Sequence, residues 1–240
     1  MKYDFAFLIV VFVLQSCENK KHLEKPTEIS TPKADSITNT DSTEVNDEPD
    51  EGEIVYPKTG KNADDFIPKS DIYTIQYEAK GDLNEDGLED IAVVLSNKEV
   101  KQAPRPMLIL LQNKDKSYRL DKVSNIVMLG EYNEYDFQLF DTEEITIEKG
   151  ELSIKLYGKD NAFATFKYSG NALLLTSIEG FYRGAGAQSE IKQDFVKGEE
   201  IITEIDLISN IDEPKVTETK DKIKKERHLF ENTSIINFFN

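Results

Sequence analysis

The stretch Tyr73-Thr74-Ile75-Gln76-Tyr77-Glu78-Ala79-Lys80-Gly81-Asp82-Leu83-Asn84-Glu85-Asp86-Gly87-Leu88-Glu89-Asp90-Ile91-Ala92-Val93-Val94-Leu95 decides the fold. Residues 73–78 alternate with a period of two, the pattern of a half-buried strand. Ile91 to Leu95 is a short unbroken apolar run, the pattern of a buried strand. Between the two lies an acidic loop rich in Asp and Asn, with glycine at Gly81 and Gly87. The unit is therefore strand, loop, strand, with no helical period on either side.

The same reading extends outward. Met107 to Leu111 is a second buried run, followed by Tyr118-Arg119-Leu120, Ile126-Val127-Met128-Leu129 and Ile145-Thr146-Ile147. Leu152 to Leu156, Phe163 to Tyr168 and Leu173 to Leu175 complete the set. Glu148-Lys149-Gly150-Glu151 and Ser169-Gly170-Asn171 read as hairpin turns, where glycine supplies positive φ. Short strands at this spacing predict a mainly β domain, an antiparallel sheet or sandwich-like arrangement carrying the acidic loop in a hairpin. No helical pattern occurs before Lys220 to Phe230, where the register is ambiguous. No internal repeat suggests a propeller or solenoid.

The loop holds the clearest chemistry. Asp82, Asn84, Asp86 and Asp90 fall at positions one, three, five and nine of a D-x-N-x-D-G-x-x-D pattern. Calcium takes about six to eight hard oxygens, and alternate side chains of a tight loop can face one centre. Gly87 permits the reversal at position six, and the Leu88 carbonyl supplies the position-seven oxygen. Glu85 and Glu89 lie between ligand positions and are expected in solvent. The predicted metal ligands are thus Asp82, Asn84, Asp86, Leu88 and Asp90, with calcium as a structural ion. The other reading is an Asx-rich turn that binds nothing, since Asp, Asn and Gly all favour turns. Three carboxylates in nine residues repel one another without a cation, which argues for the ion.

The segment resembles the calcium loops of FG-GAP repeats in integrin-type propellers and the first part of an EF-hand or dockerin loop. Position twelve, where an EF-hand has a bidentate Glu, is Val93, and the chain enters a strand instead of a helix. The likeness is therefore to the FG-GAP type. Read together with Arg105 to Gln112 and Lys116 to Leu120, it resembles small bacterial exported proteins carrying a single FG-GAP-like (VCBS-like) segment. The resemblance spans about residues 71 to 180 and implies a fold type and an exported role, not a reaction.

Export is also written at the N-terminus. Lys2 precedes the apolar run Phe5 to Leu14, which is too short to span a bilayer as a helix and fits the core of a signal peptide. Leu14-Gln15-Ser16-Cys17 resembles a bacterial lipobox, whose cysteine becomes the lipidated first mature residue. The alternative is an ordinary secretory peptide that ends near a cysteine; against it, Cys17 is the single cysteine of 240 residues. The expected organisation is a signal peptide over 1–16, a disordered acidic tether over 17–65 and one domain over 66–240. The tether composition, with Glu44, Asp47, Glu48, Asp50, Glu51 and Glu53 clustered, cannot bury enough apolar surface to offset ordering entropy. As a coil it spans about 35–40 Å.

The whole chain carries 46 acidic and 29 basic residues, a net charge of −17. That balance excludes electrostatic capture by nucleic acid. One cysteine excludes an intramolecular disulfide or a multi-cysteine zinc site. His22 and His228 stand alone, Gly184-Ala185-Gly186-Ala187 lacks a dinucleotide-loop setting, and Asp141, Glu143 and Glu144 resemble a solvated acidic face more than an acid–base pair. The aromatics Tyr132, Tyr135, Phe137, Phe140, Phe181 and Tyr182 read as core in preference to a groove. No Ser/His/Asp, Cys/His or phosphate-loop arrangement is present. The sequence points to a non-enzymatic protein of the bacterial cell envelope, in the outer membrane if the cell is Gram-negative. It would be anchored through Cys17 and act as a binding module for a protein or glycan. The rival readings are a carboxylate-based envelope hydrolase and an immunity or accessory lipoprotein serving a single partner protein.

Overall fold

The computed structural model describes residues 54–68, 71–208 and 214–239. The expected signal peptide over 1–16, the expected lipidation residue Cys17, His22 and residues 18–53 of the expected tether lie outside the described residues. Twelve strands are present among the described residues: β1 (Thr59–Gly60), β2 (Tyr73–Gly81), β3 (Asp90–Asn97), β4 (Arg105–Gln112), β5 (Tyr118–Met128), β6 (Thr142–Glu148), β7 (Glu151–Tyr157), β8 (Asn161–Ser169), β9 (Ala172–Arg183), β10 (Ala187–Asp194), β11 (Glu199–Asp206) and β12 (Lys215–Lys222). They form two antiparallel sheets, a five-stranded one ordered β1-β5-β4-β3-β2 and a seven-stranded one ordered β12-β11-β10-β9-β8-β7-β6. The mainly β, sandwich-like architecture expected from the sequence is what the chain adopts.

Both predicted turns close hairpins. Glu148 pairs with Glu151 across Lys149 (φ 53°) and Gly150 (φ 73°), and Ser169 pairs with Ala172 across Gly170 (φ 62°). Consecutive left-handed residues match the twist of the flanking strands, which explains the Lys-Gly choice between β6 and β7.

The main core lies between the sheets. Ala92 and Val94 of β3 with Met107, Ile109 and Leu111 of β4 meet Leu152, Ile154 and Leu156 of β7 and Ala164 and Phe166 of β8. Along β7 these buried residues alternate with less buried Ser153 and Lys155, the pattern of a sheet with one wet face. Strands β3 and β4 lack that alternation because their other face is covered too. Ile91, Val93, Leu95, Leu108, Leu110 and Tyr118 pack against Tyr56, Ala63 and Phe66. The cover comes from residues that composition assigned to the tether. Asn62 caps the 3-10 turn Ala63–Phe66, its side chain accepting from the Asp65 amide while the Asp65 carboxylate accepts from the Asn62 amide. The folded domain therefore begins near Tyr56, about ten residues before the boundary at 66, because two buried apolar strands need a lid on each face.

The seven-stranded sheet continues past this core. Three long strands over 187–222, which hydrophobic patterning does not announce, extend it, and every residue of β12 is exposed. The ambiguous stretch Lys220 to Phe230 is no helix. It ends β12 and then runs as a strap back over β9, where the Leu175 amide donates to the His228 carbonyl at 2.9 Å. Phe230 and Ile235 on two short 3-10 turns then enter the main core.

Candidate metal centre

Gly81 and Asp90 form the last register pair of β2 and β3, so residues 82–89 close the hairpin. Leu83 anchors this loop by burying its side chain in the main core. Gly87 stands at φ 84°, the reversal foreseen at position six, and Glu85 also takes a left-handed φ of 59°. Glu85 and Glu89 are exposed, as their interstitial positions require.

The Asp82 carboxylate sits at the centre of the turn. Its Oδ1 accepts from the Asp86 amide at 3.0 Å and its Oδ2 from the Gly87 amide at 2.8 Å. Asn84 Oδ1 also accepts from the Asp86 amide, at 3.1 Å, while Asn84 Nδ2 donates to Asp86 Oδ2 at 3.0 Å. The other Asp86 oxygen accepts from the Leu88 amide at 2.9 Å. Asp82, Asn84 and Asp86 are thus brought together on the solvent side of the loop.

Asp90 is held differently. It is fully buried, and its Oδ2 accepts from the Leu83 and Asn84 amides at 3.0 and 3.2 Å. Its Oδ1 accepts from the Gln112 amide at 3.0 Å, tying the loop to the end of β4. Burial pushes the Asp90 carboxyl above the ordinary range and the Asp86 charge adds to that, against the three amides that favour the anion. Among the described residues, no three Asp, Glu, His or Cys side chains are gathered into a group that could hold a metal ion. The donor set of carboxylates, an amide oxygen and the Leu88 carbonyl is nevertheless all hard oxygen, the chemistry that suits calcium. Each amide-bonded oxygen except Asp90 Oδ2, which accepts from two amides, also retains a second lone pair.

The loop leans on the opposite sheet. A Cβ added at Gly150, in the β6–β7 turn, would lie 2.8 Å from Glu85 Cγ. The absent side chain leaves the space that Glu85 occupies, and the φ of 73° at Gly150 favours glycine there.

A second polar centre carries no sequence signal. Arg105, 2% exposed, donates from Nη1 and Nη2 to the two Glu143 oxygens at 2.6 and 2.5 Å. Its Nε donates to the Leu129 carbonyl at 2.6 Å and Nη1 also to Gln76 Oε1 at 2.9 Å. Gln76 is the residue skipped where the β2–β3 register shifts, and such bulges re-aim side chains. Beside them Glu131 accepts from Ser96 Oγ at 2.5 Å and Lys101 Nζ at 2.9 Å. Those partners hold the Glu131 carboxyl below the usual range against the cost of burial. Asp141, Glu143 and Glu144 consequently do not act as a set: Glu143 is clamped by Arg105, while Glu144 meets Lys155 at the surface at 3.4 Å. A single arginine in a strand has no spacing to betray it.

The aromatic cluster is not one core. Phe140 packs at the margin of the main core, Tyr182 lies edge-on to Phe239, and Arg183 stacks over Phe181 at 5.0 Å. Tyr135 and Phe137 are 71% and 68% exposed. They sit on a loop closed by the Tyr132–Gln138 bridge and pinned by Asn133, whose Oδ1 accepts from the Tyr135 and Phe137 amides at 2.9 and 3.0 Å. Loop conformation overrides the hydrophobicity that suggested core. His228 is half-buried between the Phe195 and Phe238 rings. Gly184-Ala185-Gly186 is a turn leading into β10.

Comparison with protein-family models, curated proteins and solved structures finds no match to this chain.

Proposed function

We propose that this chain is a lipid-anchored protein of the bacterial envelope that works as a binding module, with a structural calcium ion in loop 82–90. The observation that carries the binding role is the pinned loop 132–138, which holds Tyr135 and Phe137 out in water. Exposed aromatics on an ordered loop supply contact area at low entropic cost, as recognition surfaces do. The partner is a protein or a glycan. The acids of the second polar centre, Glu131 and Glu143, are each held by a cation, which favours binding over hydrolysis.

Asp82, Asn84, Asp86, the Leu88 carbonyl and Asp90 would hold the calcium, which would relieve the repulsion among the three carboxylates. Anchoring rests on the Leu14-Gln15-Ser16-Cys17 string, and Cys17→Ser is expected to abolish fatty-acid labelling; retained label would refute it. The binding role is tested by replacing Tyr135 and Phe137 together with Ser and comparing envelope pull-downs. Unchanged capture by the double variant counts against it.

The calcium reading is tested separately, by thermal unfolding and calorimetry in millimolar calcium against chelator. With no position-twelve Glu, Kd is expected on the order of 10⁻⁵ to 10⁻³ M, and saturation at one hundred times Kd adds about 2.7 kcal/mol. Asp82→Ala with Asp86→Ala should abolish the calcium response. A midpoint that does not move, with no binding heat, leaves the loop a turn.

A further inference from the structure

A cleft of about 280 Å³ opens where the β8–β9 turn, the β10–β11 turn and the C-terminal strap meet. Its apolar wall is built from Leu174, Leu175 and Phe195, and Val196 stands at the lip, 65% exposed. Three cations, Lys167, Lys225 and Arg227, line the rest together with Tyr168, Ser169, Thr176 and one carboxylate, Glu226. None of the three makes a side-chain ion pair among the described residues, and the lining carboxylate Glu226 is paired with Lys224 at 2.8 Å. In a chain of net charge −17, three cations against one carboxylate in a single cleft run against the background.

The cations are also positioned. The Ile223 amide donates to the Gly198 carbonyl at 3.1 Å, and the Leu174–Leu229 bridge fixes the far end of the strap. Between these points the stem of Lys225 lies against Gly198, where an added Cβ would come within 2.8 Å of its Cγ. His228, the residue after Arg227, is wedged between the Phe195 and Phe238 rings.

We propose that this cleft binds a small aliphatic carboxylate, its chain on Leu174, Phe195 and Val196 and its head group against Lys167, Lys225 and Arg227. An apolar wall beside a few convergent charges is the usual make-up of a small-molecule site. A cleft of this size suits a small ligand of roughly ten heavy atoms. This site lies apart from loop 82–90 and loop 132–138, and it stands or falls independently of both.

The test titrates the full chain with sodium octanoate, read by calorimetry and by amide chemical shifts. Saturable one-to-one binding is expected, with the largest shifts at Thr176, Val196 and Arg227. Arg227→Gln should weaken it about tenfold, equivalent to about 1.4 kcal/mol. Val196→Ser should weaken it severalfold, and Lys215→Gln on the remote β12 should leave it unchanged. The substituted residues are exposed, so the variants keep the fold. Octanol binding as tightly as octanoate, or equal affinity in Arg227→Gln, would overturn the anion site. Binding to phosphatidylglycerol vesicles without binding to octanoate would overturn it in favour of a membrane surface.

Discussion

Strands β3 and β12 are each eight residues long, yet the first buries seven of its residues and the second none. Both are fully laddered to a neighbour, β3 to β2 and β4, β12 to β11 through eight register pairs. Being a strand and being core are therefore separate properties. In β3 apolar side chains on both faces meet partners, and each full burial is worth about 1.5–3 kcal/mol. In β12 the sequence Lys-Val-Thr-Glu-Thr-Lys-Asp-Lys gives the ladder nothing to cover, and its hydrogen bonds add only about 1 kcal/mol each. Its lysines do mark an outer edge, where charge discourages pairing with another chain.

The comparison breaks first at the lid over β3. Phe66 is 1% exposed and closes the face formed by Ile91, Val93, Leu95 and Leu110. Phe66→Ala is expected to cost about 3–5 kcal/mol in urea unfolding. A loss below about 1 kcal/mol would mean that residues 56–66 do not complete the core.

Next is the buried pair at the start of β4. Glu143→Gln leaves Arg105 charged and uncompensated and should cost about 3 kcal/mol, whereas Arg105→Met combined with Glu143→Leu should recover most of it. A double variant as unstable as the single one would show that the pair supplies more than mutual neutralisation.

Alkali sharpens the contrast more gently. Burial pushes the Tyr56 hydroxyl up to about 12, with the Tyr73 charge adding to it. The native state thus holds this proton more tightly than the unfolded chain does. Its contribution to stability is complete below about pH 10 and is lost as pH rises towards about 12. Tyr56→Phe should flatten that part of the pH–stability curve, and an unchanged slope would place the titration elsewhere. The smallest effect belongs to β12, where Val216, 59% exposed, should tolerate Val216→Thr within about 0.5 kcal/mol.

Much of this was legible in the residues. Alternation in β2, β7 and β8 and the glycines of two hairpins specify antiparallel strands locally, because period and turn chemistry act over a few neighbours. The loop 82–90 was equally legible: its reversal at Gly87 and its exposed Glu85 and Glu89 are set by spacing. What could not be read is whatever depends on a distant partner. The unalternating runs in β3 and β4 announce burial but not the segment that supplies it, since Tyr56 and Phe66 sit in polar sequence. Arg105 finds Glu143 thirty-eight residues on only because two sheets face each other. Asp90 belongs by spacing with Asp82 and Asp86, but its burial and its bond to the Gln112 amide could not be read from that spacing. Tyr135 and Phe137 are apolar enough for a core and lie outside it because Asn133 fixes their backbone. Short-range geometry and periodicity are encoded within the segment itself, while a buried charge, a covered face or an exposed ring is decided by what the fold places opposite.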